Sequence, residues 1–452
     1  MKSVFRGLNL LQAAMLTTVV LLIGCASSDA DQAFFDNFEP RLAGVVESEV
    51  AVRTEDGSTE KLELIYKPDL ELRLGDNLKL YARGRARVDA RDRLEPGQPD
   101  QDSVDPLSRR LLIGNKAELE LREFYFDSMI GDAFVRLGKQ QIVWGQADGL
   151  KVLDIVNPQS FREFILDEFE DSRIPLWALN VEVPFSKFDL QFIWIPDQTY
   201  DILPESGAAY AFTSPKFVPP APPPHIPLTV NSIERPGRFF KDSDVGLRLS
   251  AFVNGWDLSL NYLYHYFDQP VFFQTLSSNG VIVAPRYERS HLLGGTFSNA
   301  FGDFVLRGEV AFNSDRFFLT DDARDKDGVV RSDEYGYVVG LDWSGMTDTL
   351  ISGQLFQSML SKSPAGLVRD RVESVATLLV RRHFWNETLQ LDMIWLSGLN
   401  EGDGLIRPKV RYQYTNDIAL SFGADIFYGS KDGLFGEFKE RDRLVFGVEW
   451  WF

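Results

Sequence analysis

The segment Trp256–Tyr266 reads WDLSLNYLYHY. Trp256, Leu258, Leu260, Tyr262, Tyr264 and Tyr266 fall on one face at a period of two, with Asp257, Ser259, Asn261 and His265 on the other. Strict alternation is the pattern of an extended strand whose two sides meet different surroundings. Phe188, Leu190, Phe192 and Trp194 repeat it against Asp189 and Gln191, as do Leu389, Leu391, Met393 and Trp395 against Gln390 and Asp392. Segments of about ten residues, apolar on one face and with aromatics near their ends, fit strands that cross a bilayer around a polar interior.

Along the rest of the chain the same pattern predicts strands near 41–53, 61–74, 77–90, 115–128, 132–145, 177–184, 187–196, 243–253, 256–266, 286–298, 303–313, 334–344, 348–360, 372–383, 387–399, 405–415, 418–428 and 441–452. Links after even-numbered strands are tight, as at Gly75-Asp76, Asn254-Gly255 and Asn416-Asp417, whereas most links after odd-numbered ones are long and polar. A soluble sandwich alternates too, but short turns at one end and long loops at the other are the plan of an outer-membrane barrel. The expectation is an all-β, transmembrane antiparallel β-barrel of about 18 strands, or 16 if boundaries shift by a few residues. The last strand, RLVFGVEWWF, alternates through Leu444, Phe446, Val448 and Trp450 to Phe452, similar to the C-terminal signal by which barrel-assembly machinery takes up outer-membrane proteins.

The amino terminus points to export. Lys2 and Arg6 precede an apolar run, Leu8 to Ile23, of signal-peptide length, and no later run approaches a spanning helix. Leu22-Ile23-Gly24-Cys25 resembles a lipobox, so one reading acylates Cys25 as the first mature residue and the other cuts an ordinary signal after Ala26. The domain reading is a leader over 1–24, a periplasmic linker over 25–40 and the barrel over 41–452.

Composition narrows the chemistry. A formal charge of −19 argues against nucleic-acid binding. Cys25 is the sole cysteine, which removes disulfides, thiolate catalysis and Cys-based zinc sites. The four histidines, His225, His265, His291 and His383, show no metal-ligand spacing, and His265 near Asp268 reads as polar anchoring at a barrel rim rather than catalysis. In Asp321–Glu334, residues Asp325, Asp327, Gly328 and Glu334 match positions of a calcium loop, but Ala323 stands at the first ligand position. An acidic solvated loop, bridging ions to lipopolysaccharide, is the plainer reading. The proline-rich Val218–Pro227 reads as a stiff surface spacer in a long outer loop. No enzyme activity, metal or cofactor is expected.

If the apolar faces meet lipid, the polar faces line the lumen. Lys79, Arg83, Arg85 and Arg87 form one inward column beside Glu118 and Glu120, and Arg407, Lys409 and Arg411 form another. The first column, flanked by glutamates, reads chiefly as a self-neutralising ladder; the second, with Asp392 and Asp425 as its main acidic neighbours, is the better track for anionic solutes. Arg136 joins the pore-lining set.

The fifth strand runs into Arg136–Pro175, the third outer loop. Asn157-Pro158 reads as a helix start, followed by Phe161, Phe164, Ile165 and Phe169 on one face of a helix at about 158–170. Two placements stand: the helix inside the lumen, or over the mouth. In the first, Asp167, Glu168, Glu170, Asp171 and Arg173 form a constriction opposite the basic columns, a field that orients zwitterionic solutes.

Arg136-Leu137-Gly138-Lys139-Gln140, then Trp144-Gly145, then Val156-Asn157-Pro158 resembles the R-x-G-(R/K)-Q…W-G…N-P pattern of a broad group of proteobacterial outer-membrane porin-like barrels, related in style to alginate-export barrels. The resemblance implies a porin-like channel, and for some members transport of hydrophobic or lipid-like compounds beside an inner-membrane pump. The expected role is a solute channel in the bacterial outer membrane, in contact with its lipids and lipopolysaccharide. A plugged structural or assembly lipoprotein is the rival from another class. The solute and self-association into oligomers are left open.

Overall fold

The computed structural model describes residues 38–75, 77–219, 223, 225–277, 280–322 and 324–452. Cys25, the leader and most of the 25–40 linker lie outside the described residues, and the first strand begins at Phe38. The chain forms a closed antiparallel barrel of 18 strands. They are β1 Phe38–Arg53, β2 Thr59–Leu74, β3 Leu78–Asp89, β4 Ala117–Ile130, β5 Ala133–Gln140, β6 Leu176–Phe185, β7 Phe188–Ile195, β8 Asp244–Val253 and β9 Trp256–Tyr266. The second half comprises β10 Arg289–Phe301, β11 Phe304–Leu319, β12 Val329–Met346, β13 Thr349–Leu360, β14 Val372–Phe384, β15 Leu389–Gly398, β16 Asp403–Gln413, β17 Ile418–Tyr428 and β18 Arg443–Trp451.

Each strand pairs with its neighbours in sequence, and β1 closes on β18 from Val45 opposite Trp451 to Arg53 opposite Arg443. The final residue completes the seam. Phe452 exchanges backbone hydrogen bonds with Gly44 at 3.1 and 3.2 Å and stacks on Tyr66 at 5.8 Å. A Cβ on Gly44 would lie 2.6 Å from the Phe452 ring, so the terminal aromatic needs glycine beneath it.

The alternation has its expected meaning. Leu258, Leu260, Leu420, Phe422, Phe446 and Trp450 are exposed on the outer wall. The links at one end are all tight, and Asn254 and Gly255 both take positive φ, 53° and 86°, the type I′ geometry that matches strand twist. At the other end the longer loops carry structure that alternation did not signal. Val271–Ser277 and Gly280–Arg286 form a hairpin, and Leu228–Val230 pairs with it in parallel, just after a proline-rich stretch of which 220–222 and 224 lie outside the described residues.

Two expectations about the third loop are corrected. The strand foreseen over 132–145 ends at Gln140. The helix foreseen over 158–170 is absent, and only one turn, α1, forms at Phe169–Ser172. The backbone there is used across the loop instead: Ser160 N–H donates to Ser172 O at 2.7 Å, Ile174 N–H to Pro158 O at 2.8 Å and Phe161 N–H to Ile202 O at 2.8 Å. Phe164, at φ 56°, breaks any continuing helix.

Candidate functional site

The site begins where the alternation of β5 fails. Leu137 is 55% exposed on the outer wall, and simple alternation would send Lys139 out beside it. Gly138 takes φ 140°, and a Cβ there would collide with the Phe124 carbonyl oxygen. Past this kink Lys139 and Gln140 are both buried, Lys139 donating to the Leu121 carbonyl at 2.8 Å and Gln140 to the Ala178 carbonyl at 3.0 Å. The chain is thereby turned into the barrel.

Asn157 fixes that turn. Its Oδ1 accepts the Ile142 N–H at 2.7 Å and its Nδ2 donates to the Ile174 carbonyl at 2.9 Å, tying the two legs of the loop together rather than capping a helix. Trp144, buried, donates from Nε1 to Gln191 at 2.8 Å on the inner wall. At Gly145 a Cβ would lie 2.8 Å from the Asp154 backbone nitrogen, so the next turn also requires glycine. Each element of the R-x-G-K-Q…W-G…N-P pattern after Arg136 thus acts in seating this loop. Arg136 itself bonds Asp127 and stacks on Tyr125, 3.9 Å from the ring centre.

Inside the lumen the loop reaches several walls. Its first half packs Ile142, Trp144, Leu153 and Val156 on Ile193, Ile195, Leu263 and Leu292, which explains why those inward positions are apolar. On β11, Glu309 accepts N–H groups from Gln146, from Ala147 at 2.8 Å and from Leu153 at 2.9 Å. Arg307 holds Asp148. The second half crosses to the seam of the barrel. Phe164 lies 4.8 Å from Phe438 within a cluster that includes Tyr210, Phe427 and Phe435, and Arg407 on β16 donates to the Leu166 carbonyl at 2.7 Å.

Arg162 and Glu163, which a helix over 158–170 would carry opposite its apolar face, are instead buried. Arg162 pairs with Glu63, with Asp89 at 3.1 Å and with Glu95 at 2.8 Å; Glu163 meets Lys61 at 2.6 Å and Arg443 at 3.0 Å. Burial alone would raise the Glu163 carboxyl, but Lys61, Arg443 and Arg162 together hold it well below the ordinary range. Asp167 differs: burial and the neighbouring Glu163 raise it to about 6 against the pull of Lys61 and Arg162. These partners were not legible as such, although Lys61, Glu309 and Arg443 do occupy polar positions of alternating strands.

Beside the loop lies a cavity of about 720 Å³, within the range of about 300–1,000 Å³ typical of small-solute sites. Asp167, Glu168 and Asp171 of the loop line it, with Arg85, Arg87, Arg407, Lys409 and Arg411 from the walls. Asp171 pairs with Lys67 at 2.9 Å and Glu168 with Lys409 at 3.6 Å. Glu170 bonds Arg83, outside the cavity. Arg173, expected at the constriction, turns back to Asp154 at 2.7 Å and does not line the cavity.

The first basic column is a ladder. Lys79 pairs with Glu71 at 2.9 Å, Arg83 with Asp69 at 2.6 Å, Arg85 with Glu120 at 2.5 Å and Arg87 with Glu118 at 2.9 Å. A bulge on β4 opposite Arg83–Gly84 keeps Glu118 and Glu120 in the lumen together with Glu123 and Asp127. The second column is less free than the sequence implied, because Arg407 meets Asp425 at 2.8 Å and Arg411 meets Glu449 at 3.2 Å. Asp392, foreseen beside it, is taken by Arg381 at 2.6 Å. Lys409, 43% exposed and held among the described residues only by the loose Glu168 contact, is the most available cation of the three.

The rim readings resolve more simply. No hydrogen bond joins His265 to Asp268 among the described residues, and His265 is buried on the inner face. Glu334, the twelfth position of the calcium-like loop, lies in β12 and pairs with Arg316 at 2.9 Å and Arg369 at 3.2 Å, while Asp325 accepts the Asp327 and Gly328 N–H groups.

A family model described as Protein of unknown function (DUF1302) matches residues 62–452. The chain belongs to that family. No curated protein matches the sequence. Solved structures share the architecture of this DUF1302 barrel at low identity. OccK2 (OpdF) of Pseudomonas aeruginosa, in complex with glucuronate, is 9% identical, the match covering 91% of this chain and 98% of that one at a TM-score of 0.52. OccK1 (OpdK) of the same organism is 11% identical over 92% and 98% of the two chains, with a TM-score of 0.52. OccAB3 of Acinetobacter baumannii is 9% identical over 92% and 99%, with a TM-score of 0.51. The DUF1302 chain therefore has the fold of outer-membrane porin channels.

Proposed function

We propose that the protein is a bacterial outer-membrane channel for small polar solutes, narrowed by its third outer loop. One observation carries the reading: residues 141–175 are bonded inside the barrel to walls on several sides, at Glu309, Arg407 and Lys67, and leave beside them a charged cavity of about 720 Å³. A loop held this way sets the width of a passage and places Asp167, Glu168 and Asp171 across from Arg407, Lys409 and Arg411. Opposed charges favour zwitterionic or anionic solutes of about the size of a monosaccharide, a class of which the glucuronate bound by OccK2 is an example. Charged lining disfavours the lipid-like cargo that the family resemblance also suggests.

Planar-bilayer recording of the purified, folded protein tests this. Stepwise currents blocked by millimolar sugar acids or zwitterions are expected. A folded protein that gives no conductance steps would overturn the channel in favour of a plugged structural barrel.

A further inference from the structure

The most exposed pair of adjacent aromatics among the described residues lies outside the lumen. Between β7 and β8 the chain reads RFFKDS, Arg238 to Ser243. Phe239 is 56% and Phe240 80% exposed, yet neither dangles. Asp242, buried, accepts the Gly237 and Arg238 N–H groups at 3.1 and 2.9 Å, and its own N–H donates to the Arg238 carbonyl at 2.8 Å. Arg289 of β10 braces the turn by donating to the Lys241 and Ser243 carbonyls at 3.2 and 3.0 Å. A rigid turn that presents two phenylalanines to the outside is apolar surface built for an apolar neighbour.

The position of the turn indicates which neighbour. Phe240 stacks on Trp194 at 6.0 Å and Phe239 meets the same ring edge-on at 5.5 Å. Trp194 belongs to the outward set of β7, with Phe188 and Leu190 below it and the inward Ile193 and Ile195 on either side. The pair therefore continues the apolar outer wall at its loop end, the level at which hydrocarbon gives way to headgroups. Arg238, 67% exposed although its Nε lies 3.3 Å from the Asp242 carboxylate, and Lys241, exposed, bracket the two rings in a chain of net charge −19. Aromatics toward acyl chains with cations immediately beside them match a phosphorylated amphiphile rather than a neutral lipid or an acidic protein surface.

We infer that the Arg238–Lys241 turn is a binding site for a phosphorylated glycolipid of the outer leaflet, with Phe239 and Phe240 among the acyl chains and Arg238 and Lys241 at the phosphates. The inference rests on the outer-membrane reading above, but not on conduction through the lumen. Such a site clamps the mouth of the barrel to the leaflet on the β7–β10 side.

The test uses the full-length protein in detergent with bisphosphorylated lipid A as the probe, read by native mass spectrometry. Retained lipid A, at least about tenfold less retained after Arg238→Ser with Lys241→Ser or after Phe239→Ser with Phe240→Ser, is expected. Dephosphorylated lipid A should be held no better than by the cation-less variant. Heat-modifiable migration and bilayer conductance of the same samples report folding and channel activity separately, so channels without lipid preference overturn this inference alone, and lipid retention without channels overturns the other alone. Equal retention by well-folded variants overturns the site. Loss of a protein oligomer instead of lipid in the phenylalanine variant would reassign the patch to contact between copies of the chain, and likewise overturn it.

Discussion

The Arg443 guanidinium donates to the Glu163 carboxylate at 3.0 Å, joining the strand that closes the barrel to the loop that crosses its lumen. Both side chains are almost completely buried, and Lys61 reaches the same carboxylate from β2. Removing one partner of a buried pair strands the other, at a cost of about 3–5 kcal/mol, whereas an exposed pair such as Lys431–Glu440 is screened by water and contributes little. Glu163→Gln should therefore unseat the loop without opening the barrel. Hydrogen exchange at the Ser160, Phe161 and Ile174 amides, which are bonded within or beside the loop, should accelerate while strand amides keep their protection. Unchanged loop protection would mean that the apolar cluster around Phe164 suffices.

Lys409 gives the cleanest test of ion selectivity, because Arg407 also holds the Leu166 carbonyl and Arg411 also meets Glu449. Lys409→Gln should move the permeability ratio toward cations by roughly twofold or more, and the triple replacement with Arg407→Gln and Arg411→Gln should move it further. Reversal potentials in a salt gradient measure the change. Identical potentials in native and triple-variant protein would remove this column from the conduction path.

Asp167 supplies a pH dependence. Its carboxyl is raised to about 6 by burial and by Glu163, with Asp171 adding to the rise and Lys61 and Arg162 opposing it. The seated loop thus binds this proton more tightly than a released loop, so the contribution of Asp167 to seating is greatest at low pH and declines as pH rises through about 6. Glu163 acts with the opposite sign: its carboxyl is depressed, so its pairing is complete above the usual carboxylate range and is lost on acidification below it. The anion-to-cation permeability ratio should rise as pH drops through about 6, and Asp167→Asn should flatten that step while leaving acid unseating below about pH 4.5 intact. A selectivity step of the same size in the variant would assign it to another group.

Gly138 tests the turn into the lumen. Alanine at φ 140° would place a methyl against the Phe124 carbonyl and strain a conformation that costs about 1–3 kcal/mol for other residues. Gly138→Ala should weaken both the β4–β5 ladder and the burial of Lys139, lowering the temperature of the heat-modifiable transition. Asn157→Ala should instead leave the ladder intact and free the loop, since it removes the bonds to Ile142 and Ile174 and a long one, 3.4 Å, to the Gln140 carbonyl at the very end of β5, each buried group left unpaired costing about 1–3 kcal/mol. If both variants behaved alike, the kink and the clasp would not be separate devices.

Alternation in the sequence determined the strands, their order, the turn end and the identity of the outer wall. That information is local: a side chain two positions along a strand returns to the same face, and lipid outside with polar groups inside stamps that period on each crossing. It extended to the Lys79–Arg87 ladder, whose acids lie on adjacent strands. It failed from Gly138 onward, where one positive φ reversed the facing of Lys139 and the helical spacing of Phe161, Phe164, Ile165 and Phe169 suggested a helix that does not form. Only the tertiary structure decided the path of that loop, because its partners, Glu309, Arg407 and Arg443, are more than 150 residues away and become neighbours only when β1 closes on β18.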